Sequence, residues 1–265
     1  MNLEIISKSP SVANGSPPLL FVHGAWHGAW CWDVHFLDYF VQHGFTVHAV
    51  SLRGHGGSDG REKLRWMRIG QYVDDVANAA DRLPSPPIVI GHSMGGHIAQ
   101  KYLERRVAPA AVLLASLPPA GALQTTLRIL RRHPWIFLKM NLTLSLRHLV
   151  ATPELAREYF FSQGLSDGQL QAYWEQLQDE SYMGFLDMLV LNLPKPQKVR
   201  TTMLVLGAEK DAVFGADEVE ATARAYNTKA EIFKGMGHDM MLEPGWQSVA
   251  ERIVAWLNEQ RLRAT

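Results

Sequence analysis

Residues 88–96 read Ile-Val-Ile-Gly-His-Ser-Met-Gly-Gly. An apolar strand runs straight into Gly91-His92-Ser93-Met94-Gly95, and a helical stretch follows. A serine flanked by glycines two residues before and two after, on a strand–turn–helix path, is the pattern of a nucleophile elbow. The requirement is steric. A strained turn has no room for side chains at those two positions, and Gly91 and Gly95 meet it, with Gly96 giving further room for the helix to approach the strand. Such a turn lifts the Ser93 hydroxyl off the sheet. It also aims a helix N-terminus at the reacting oxygen, where the dipole favours negative charge.

A serine hydroxyl is a weak nucleophile and needs a base, which in turn needs an orienting group. Of eleven histidines, His238 is the best placed. It sits in Gly235-Met-Gly-His-Asp239, after the last expected strand and before the last helix, where the glycines allow a tight loop. His133 and His148 fall in a helical insertion, and His92 adjoins the serine but diverges from it in an elbow. The orienting acid should lie past the end of an earlier strand. Asp211, four residues beyond Gly207, fits, with Glu209 as the alternative. Its role would be to hold the imidazole tautomer and stabilise the imidazolium. An oxyanion needs two backbone N–H groups. Met94, directly after the serine, supplies one candidate; Ala25, in the loop His23-Gly-Ala-Trp26, supplies the other, with Gly24 letting the backbone come close. Trp26, Trp30 and Trp32 either line a site there or pack the first helix.

Continuous apolar runs at 19–22, 46–52, 87–90, 111–115, 203–206 and 230–233, with weaker alternation at 3–7, read as strands, most of them buried on both faces. Helical patterns at 69–83, 95–106, 217–226 and 246–261 separate or follow them. This alternation predicts an α/β fold, a parallel sheet covered on both sides. The rhythm breaks between Pro118 and Pro196. Amphipathic helices are expected there at 121–132, 135–150, 154–163, 166–179 and 181–192. The organisation expected is a core of 1–117 and 197–265 with a helical cap over 118–196. Charge in the cap is segregated. Residues 121–153 carry Arg128, Arg131, Arg132, Lys139 and Arg147 and no acid; residues 154–187 carry seven acids and one arginine. Solvated helix faces account for this, as would a basic surface that docks an anionic head group or membrane interface.

The chain has 265 residues, 47% hydrophobic and 20% charged, within the range of one globular α/β unit. Lys+Arg and Asp+Glu are both 26, a balance that argues against a nucleic-acid binder. The lone Cys31 can form neither an internal disulfide nor a CxxC site. The N-terminus lacks a signal-peptide pattern and no apolar run has the length of a membrane span, so a cytoplasmic location is expected.

With these residues in place, the chain resembles the α/β-hydrolase fold superfamily over nearly its whole length. The motifs that carry the resemblance are His23-Gly-Ala-Trp, Ser51-Leu-Arg-Gly-His-Gly-Gly-Ser58, Gly91-His-Ser-Met-Gly-Gly96, Gly207-Ala-Glu-Lys-Asp211 and Gly237-His-Asp239. The resemblance implies an eight-stranded, mostly parallel sheet, a Ser93–His238–Asp211 triad, no metal or organic cofactor, and a cap between the sixth and seventh strands. The segments 23–32 and 237–244 look like the plant methylesterase and hydroxynitrile lyase branch. The lyases, however, place threonine and lysine where this chain has Gly24 and Asp239. The loop Arg53-Gly-His-Gly-Gly-Ser58 is instead typical of bacterial esterases and lipases. Members that use an aspartate nucleophile, the haloalkane dehalogenases and epoxide hydrolases, are disfavoured by Ser93. The expected function is hydrolysis of a carboxylic ester or thioester with a hydrophobic acyl or aryl group, through an acyl-enzyme. The expected partner is a small molecule, with peripheral lipid contact through the basic half of the cap. A cofactor-free C–C bond hydrolase or lyase, and a non-catalytic ligand binder, remain alternatives at this stage. Trp135, Ile136, Phe137, Leu138, Phe160, Phe161, Trp174, Phe185 and Leu186 are the cap residues available to build an apolar pocket.

Overall fold

The computed structural model describes residues 1–263. Seven strands form one sheet: β1 (Ile5–Lys8), β2 (Leu19–Val22), β3 (Val47–Val50), β4 (Ile88–His92), β5 (Ala111–Leu114), β6 (Met203–Ala208) and β7 (Ala230–Phe233). Their order is β1-β3-β2-β4-β5-β6-β7. Only β1 runs antiparallel, with Ile5 opposite Val50; every other pairing is parallel. β2, β4, β5 and β6 are buried along their whole length, which is why they read as unbroken apolar runs. The edge strands β1 and β7 are only partly buried. The seven runs seen in the sequence are these seven strands. The eighth strand implied by the resemblance is not found among the described residues, so the helical insertion falls between the fifth and sixth strands.

Alternate residues of each central strand serve opposite faces. Leu19 and Phe21 join the core built with α1 (Trp30–Asp33), α2 (Phe36–Gln42) and the last helix. Leu20 and Val22 join the other, built with α3 (Ile69–Ala80) and α4 (Met94–Leu103). Between β5 and β6 lie α5 (Leu123–Arg132), α6 (Pro134–Thr143), α7 (Pro153–Phe160), α8 (Asp167–Trp174) and α9 (Tyr182–Leu186). α10 (Ala216–Ala225) and α11 (Trp246–Gln260) complete the fold.

The breaks in the insertion have local causes. The helix expected over 135–150 is divided: α6 ends where Leu144 takes a left-handed φ of 52°, and a 3-10 turn follows at Leu146–Val150. Thr152, Ser166 and Ser181 cap α7, α8 and α9 by accepting from the amides of Leu155, Gln169 and Gly184, satisfying N–H groups with no intrahelical acceptor. Met140, Leu146, Leu149, Tyr159 and Phe160 pack into the same core as α2 and α11, so the insertion shares its apolar interior with the sheet. Among the described residues, no helix is long and apolar enough to cross a membrane.

Candidate active site

Ser93 stands between β4 and α4 with φ 53° and ψ −117°. A non-glycine residue in this region is strained and must be held by its surroundings. The neighbours do so by approaching closer than any side chain would allow. A Cβ on Gly91 would lie 2.4 Å from the Gly95 carbonyl oxygen, and one on Gly95 would lie 2.2 Å from that of Val22. The backbone of Ser93 is engaged on both sides: its carbonyl accepts from the amides of Gly96, His97 and Leu117, and its N–H donates to Leu114 O of β5 at 3.1 Å.

His238 arrives from the loop after β7 and Asp211 from the loop after β6. His238 Nδ1 and Asp211 Oδ2 are 2.8 Å apart, and both side chains are buried. The other carboxylate oxygen, Oδ1, accepts from the amides of Val213 and Phe214 at 2.7 and 2.9 Å. The acid is thus fixed by its own loop and its second oxygen is left for the imidazole. Since a carboxylate only accepts, Nδ1 carries the proton and Nε2 is left as the basic nitrogen. Burial alone would lower the His238 pKa; Asp211, and behind it Asp239, outweigh burial and raise it. Glu209, the alternative acid, is elsewhere: it accepts from the Gly235 amide at the surface.

The histidine is held against the elbow. His92 Nε2 donates to the carbonyl of His238 at 3.0 Å, and the two rings are 4.8 Å apart. The His92 pKa is pushed down to about 3 by burial and then by the charge of His238. No hydrogen bond joins Ser93 Oγ to the His238 ring. In proteins without bound substrate such contacts are commonly long and tighten on binding.

Ser93, Ala25 and Met94 line one narrow cavity of about 70 Å³. Met94 is the first residue of α4, so its N–H has no intrahelical acceptor. Neither it nor the Ala25 N–H donates to another acceptor among the described residues. The cavity is roofed by Thr125, Thr126 and Ile129 of α5 and walled by Phe185, Met188 and Phe214. A second apolar cavity of about 50 Å³ adjoins it, shares Trp26 and Ile129, and reaches Tyr159 and Phe160. Of the three loop tryptophans, Trp26 therefore faces the site. Trp32 is fully buried against Phe21, and Trp30 stacks on His27. Of the aromatics in the insertion, Phe160 and Phe185 reach the cavities, whereas Trp135 is 79% exposed. A cleft of about 960 Å³ lies at the surface beside α7 and α8 and contains none of Ser93, His238 and Asp211.

Several buried polar residues around the site were not singled out by sequence reasoning. Glu180, at the end of the insertion, accepts from Trp26 N–H, His55 Nε2, Tyr72 OH and its neighbour's amide. His27 and Asp239 meet beneath the histidine loop with Nε2 and Oδ2 3.0 Å apart. The signal for Asp239 was present as a departure from the lyase pattern; for Glu180, 154 residues from Trp26, there was none.

Residues 19–252 match the alpha/beta hydrolase family. A monoacylglycerol lipase of Mycolicibacterium smegmatis is 25% identical over 240 residues, covering 84% of this chain and 81% of that one. Methylesterase 10 of Arabidopsis thaliana is 30% identical over a shorter stretch, 37% of each chain. Among solved structures, the monoacylglycerol lipase of Paleococcus ferrophilus superposes with a TM-score of 0.75 at 20% identity, covering 98% of this chain and 100% of that one. A sheet with this order, an elbow between β4 and α4 and a family match across nine-tenths of the described chain lead to one assignment: the protein belongs to the alpha/beta hydrolase family.

Proposed function

We propose that this protein is a serine hydrolase that cleaves carboxylic esters or thioesters bearing a hydrophobic acyl or aryl group. The observation that carries the reading is the buried 2.8 Å contact between His238 Nδ1 and Asp211, next to a strained serine with two unengaged amides beside it. Ser93 Oγ attacks the carbonyl carbon as His238 Nε2 takes its proton. Asp211 holds the ring and stabilises the imidazolium. Charge gathers on the carbonyl oxygen, where the amides of Ala25 and Met94 and the N-terminus of α4 are aimed. His238 then protonates the leaving group. Water, deprotonated by the same nitrogen, attacks the acyl-serine and releases the acid. The apolar lining supports an acyl or aryl moiety rather than a charged one. The names of the relatives, a monoacylglycerol lipase and a methylesterase, are those of ester hydrolases.

A fluorophosphonate probe tests the mechanism. Covalent labelling of Ser93 is expected, absent in Ser93→Ala and nearly absent in His238→Ala. Ester turnover of Ser93→Ala should fall by on the order of 10⁶. An unlabelled wild-type protein would sink the reading in favour of a ligand binder. Labelling with turnover of diketones and none of esters would favour C–C cleavage.

The helices between β5 and β6 act in this reading as a cap, with α5 as the roof over Ser93. Their outer face supports contact with an anionic lipid surface. Leu123, Leu127 and Leu130 on α5 and Trp135, Leu138 and Leu142 on α6 are exposed at helical spacing. The charged residues among them, Arg128, Arg131, Arg132 and Lys139, are all basic, with Arg128 paired to Glu218 and Arg132 to Glu158. A second copy of the chain would bring like charges together on this face; anionic head groups complement it.

A further inference from the structure

Beneath the elbow lies a cluster that the reaction above does not use: His27, His92 and Asp239, each 1% exposed or less. His27 belongs to the loop after β2, two residues beyond Ala25. Asp239 follows His238. His27 Nδ1 is 2.7 Å from the carbonyl oxygen of Ala25, and His27 Nε2 is 3.0 Å from Asp239 Oδ2. His92 Nε2 is 3.6 Å from the other carboxylate oxygen.

A carbonyl only accepts, so His27 Nδ1 donates to Ala25. Nε2 is the nitrogen that faces Asp239. Burial pushes the Asp239 carboxyl up, but the facing His27, then His92 and His238, outweigh it and hold it below its ordinary value. His92 donates from Nε2 to the His238 carbonyl and is neutral. The two side chains are in contact across 3.0 Å but not aligned as a hydrogen bond, since neither Asp239 oxygen has a hydrogen-bond donor. Its place is held by the backbone: Asp239 N–H donates to Phe160 O at 2.9 Å, and Trp30 stacks on His27. A buried polar contact of this kind does little for stability compared with apolar residues of the same shape. What distinguishes it is that it spans two loops.

We propose that Asp239 and His27 are positioning residues for the hydrolysis. Their buried contact ties the loop carrying His238 to the loop carrying the Ala25 amide, and so sets the base and the oxyanion donor at one fixed separation. This rests on the serine-hydrolase reading. Neither side chain touches the reacting atoms. The contribution is geometric, and appears when the tetrahedral intermediate must meet both groups at once.

The test compares Asp239→Asn, His27→Gln and the double variant on a soluble p-nitrophenyl ester. Rates are divided by the number of active sites titrated with fluorophosphonate, which removes any misfolded fraction. Each single variant is expected to lose on the order of 10- to 100-fold in kcat per titrated site, with KM within about twofold. The double variant should be no worse than the worse single one, because one strut can be lost only once. Affinity for an alkyl boronic acid, which forms a tetrahedral adduct on the serine, should fall in parallel with kcat. Unchanged kcat per titrated site, or losses that multiply in the double variant, overturns the proposal; if Asp239→Asn does not fold, His27→Gln alone decides it by the kcat and boronate readouts. Wild-type protein that fails to label sinks the serine reading itself, whereas normal labelling with wild-type-like Asp239→Asn and His27→Gln sinks only the strut.

Discussion

His238, the proposed base, has an environment that works in two directions. Burial disfavours its charged form and two nearby carboxylates favour it, with a net rise above the ordinary 6.5. Protonated His238 cannot accept the Ser93 proton. Hence kcat/KM should rise with pH through a pKa above 6.5, with the protonated, inactive form dominating below it. Asp211→Asn removes the principal raising influence and leaves burial opposed by Asp239 alone. The acid limb should then move to lower pH while kcat falls by about 10⁴. A pH–rate profile of both proteins checks the direction, and a limb that stays put contradicts the assignment of Asp211. At this scale the sequence was legible where chemistry is local. The glycines around Ser93 and the loops holding Asp211 and His238 announce themselves within ten residues. The partners of Glu180, His27 and Asp239 come from other loops, and only folding brings them together.

Among elements, the strand–turn–helix at β4 and α4 has the least tolerance. Gly95→Ala would set a methyl 2.2 Å from the Val22 carbonyl oxygen. β2 must then move away from α4, at a cost of about 1–3 kcal/mol or more. Gly70, at the start of α3, has nothing within 4 Å of an added Cβ. Gly70→Ala should be stabilising, by up to about 1 kcal/mol, through lower entropy of the unfolded chain. Urea denaturation of the two variants measures the contrast; equal effects would mean that the turn can relax. The strands were readable because burial on both faces leaves no polar alternation to mistake. The divided helix at Leu144 was not, because Leu-Thr-Leu-Ser carries no glycine or proline to mark a stop. Strand number was better read from the residues than from the resemblance, since the seven apolar runs are the seven strands.

At the scale of the whole molecule, α5 and α6 expose large apolar side chains on the outer face of the insertion. Leu142 and Trp135 are 75% and 79% exposed. Sedimentation with phosphatidylglycerol vesicles should carry the protein down, while phosphatidylcholine vesicles should carry much less. Leu127→Glu with Leu138→Glu should abolish the association and leave hydrolysis of a soluble short-chain ester intact. Equal recovery with neutral vesicles would remove the role assigned to Arg131 and Lys139.

Trp26 sits at a left-handed φ of 66°. Its amide, indole and carbonyl are bound respectively by Glu180, Leu146 and the amide of Gln178, all in the insertion. The residue next to Ala25, the proposed oxyanion donor, is thus clamped by the insertion. The clamp comes from the stretch between Leu146 and Glu180, and α5 makes none of these three hydrogen bonds. Pruning the insertion down to a short linker should uncover the serine and, in the same stroke, remove every bond that holds Trp26 beside the proposed donor.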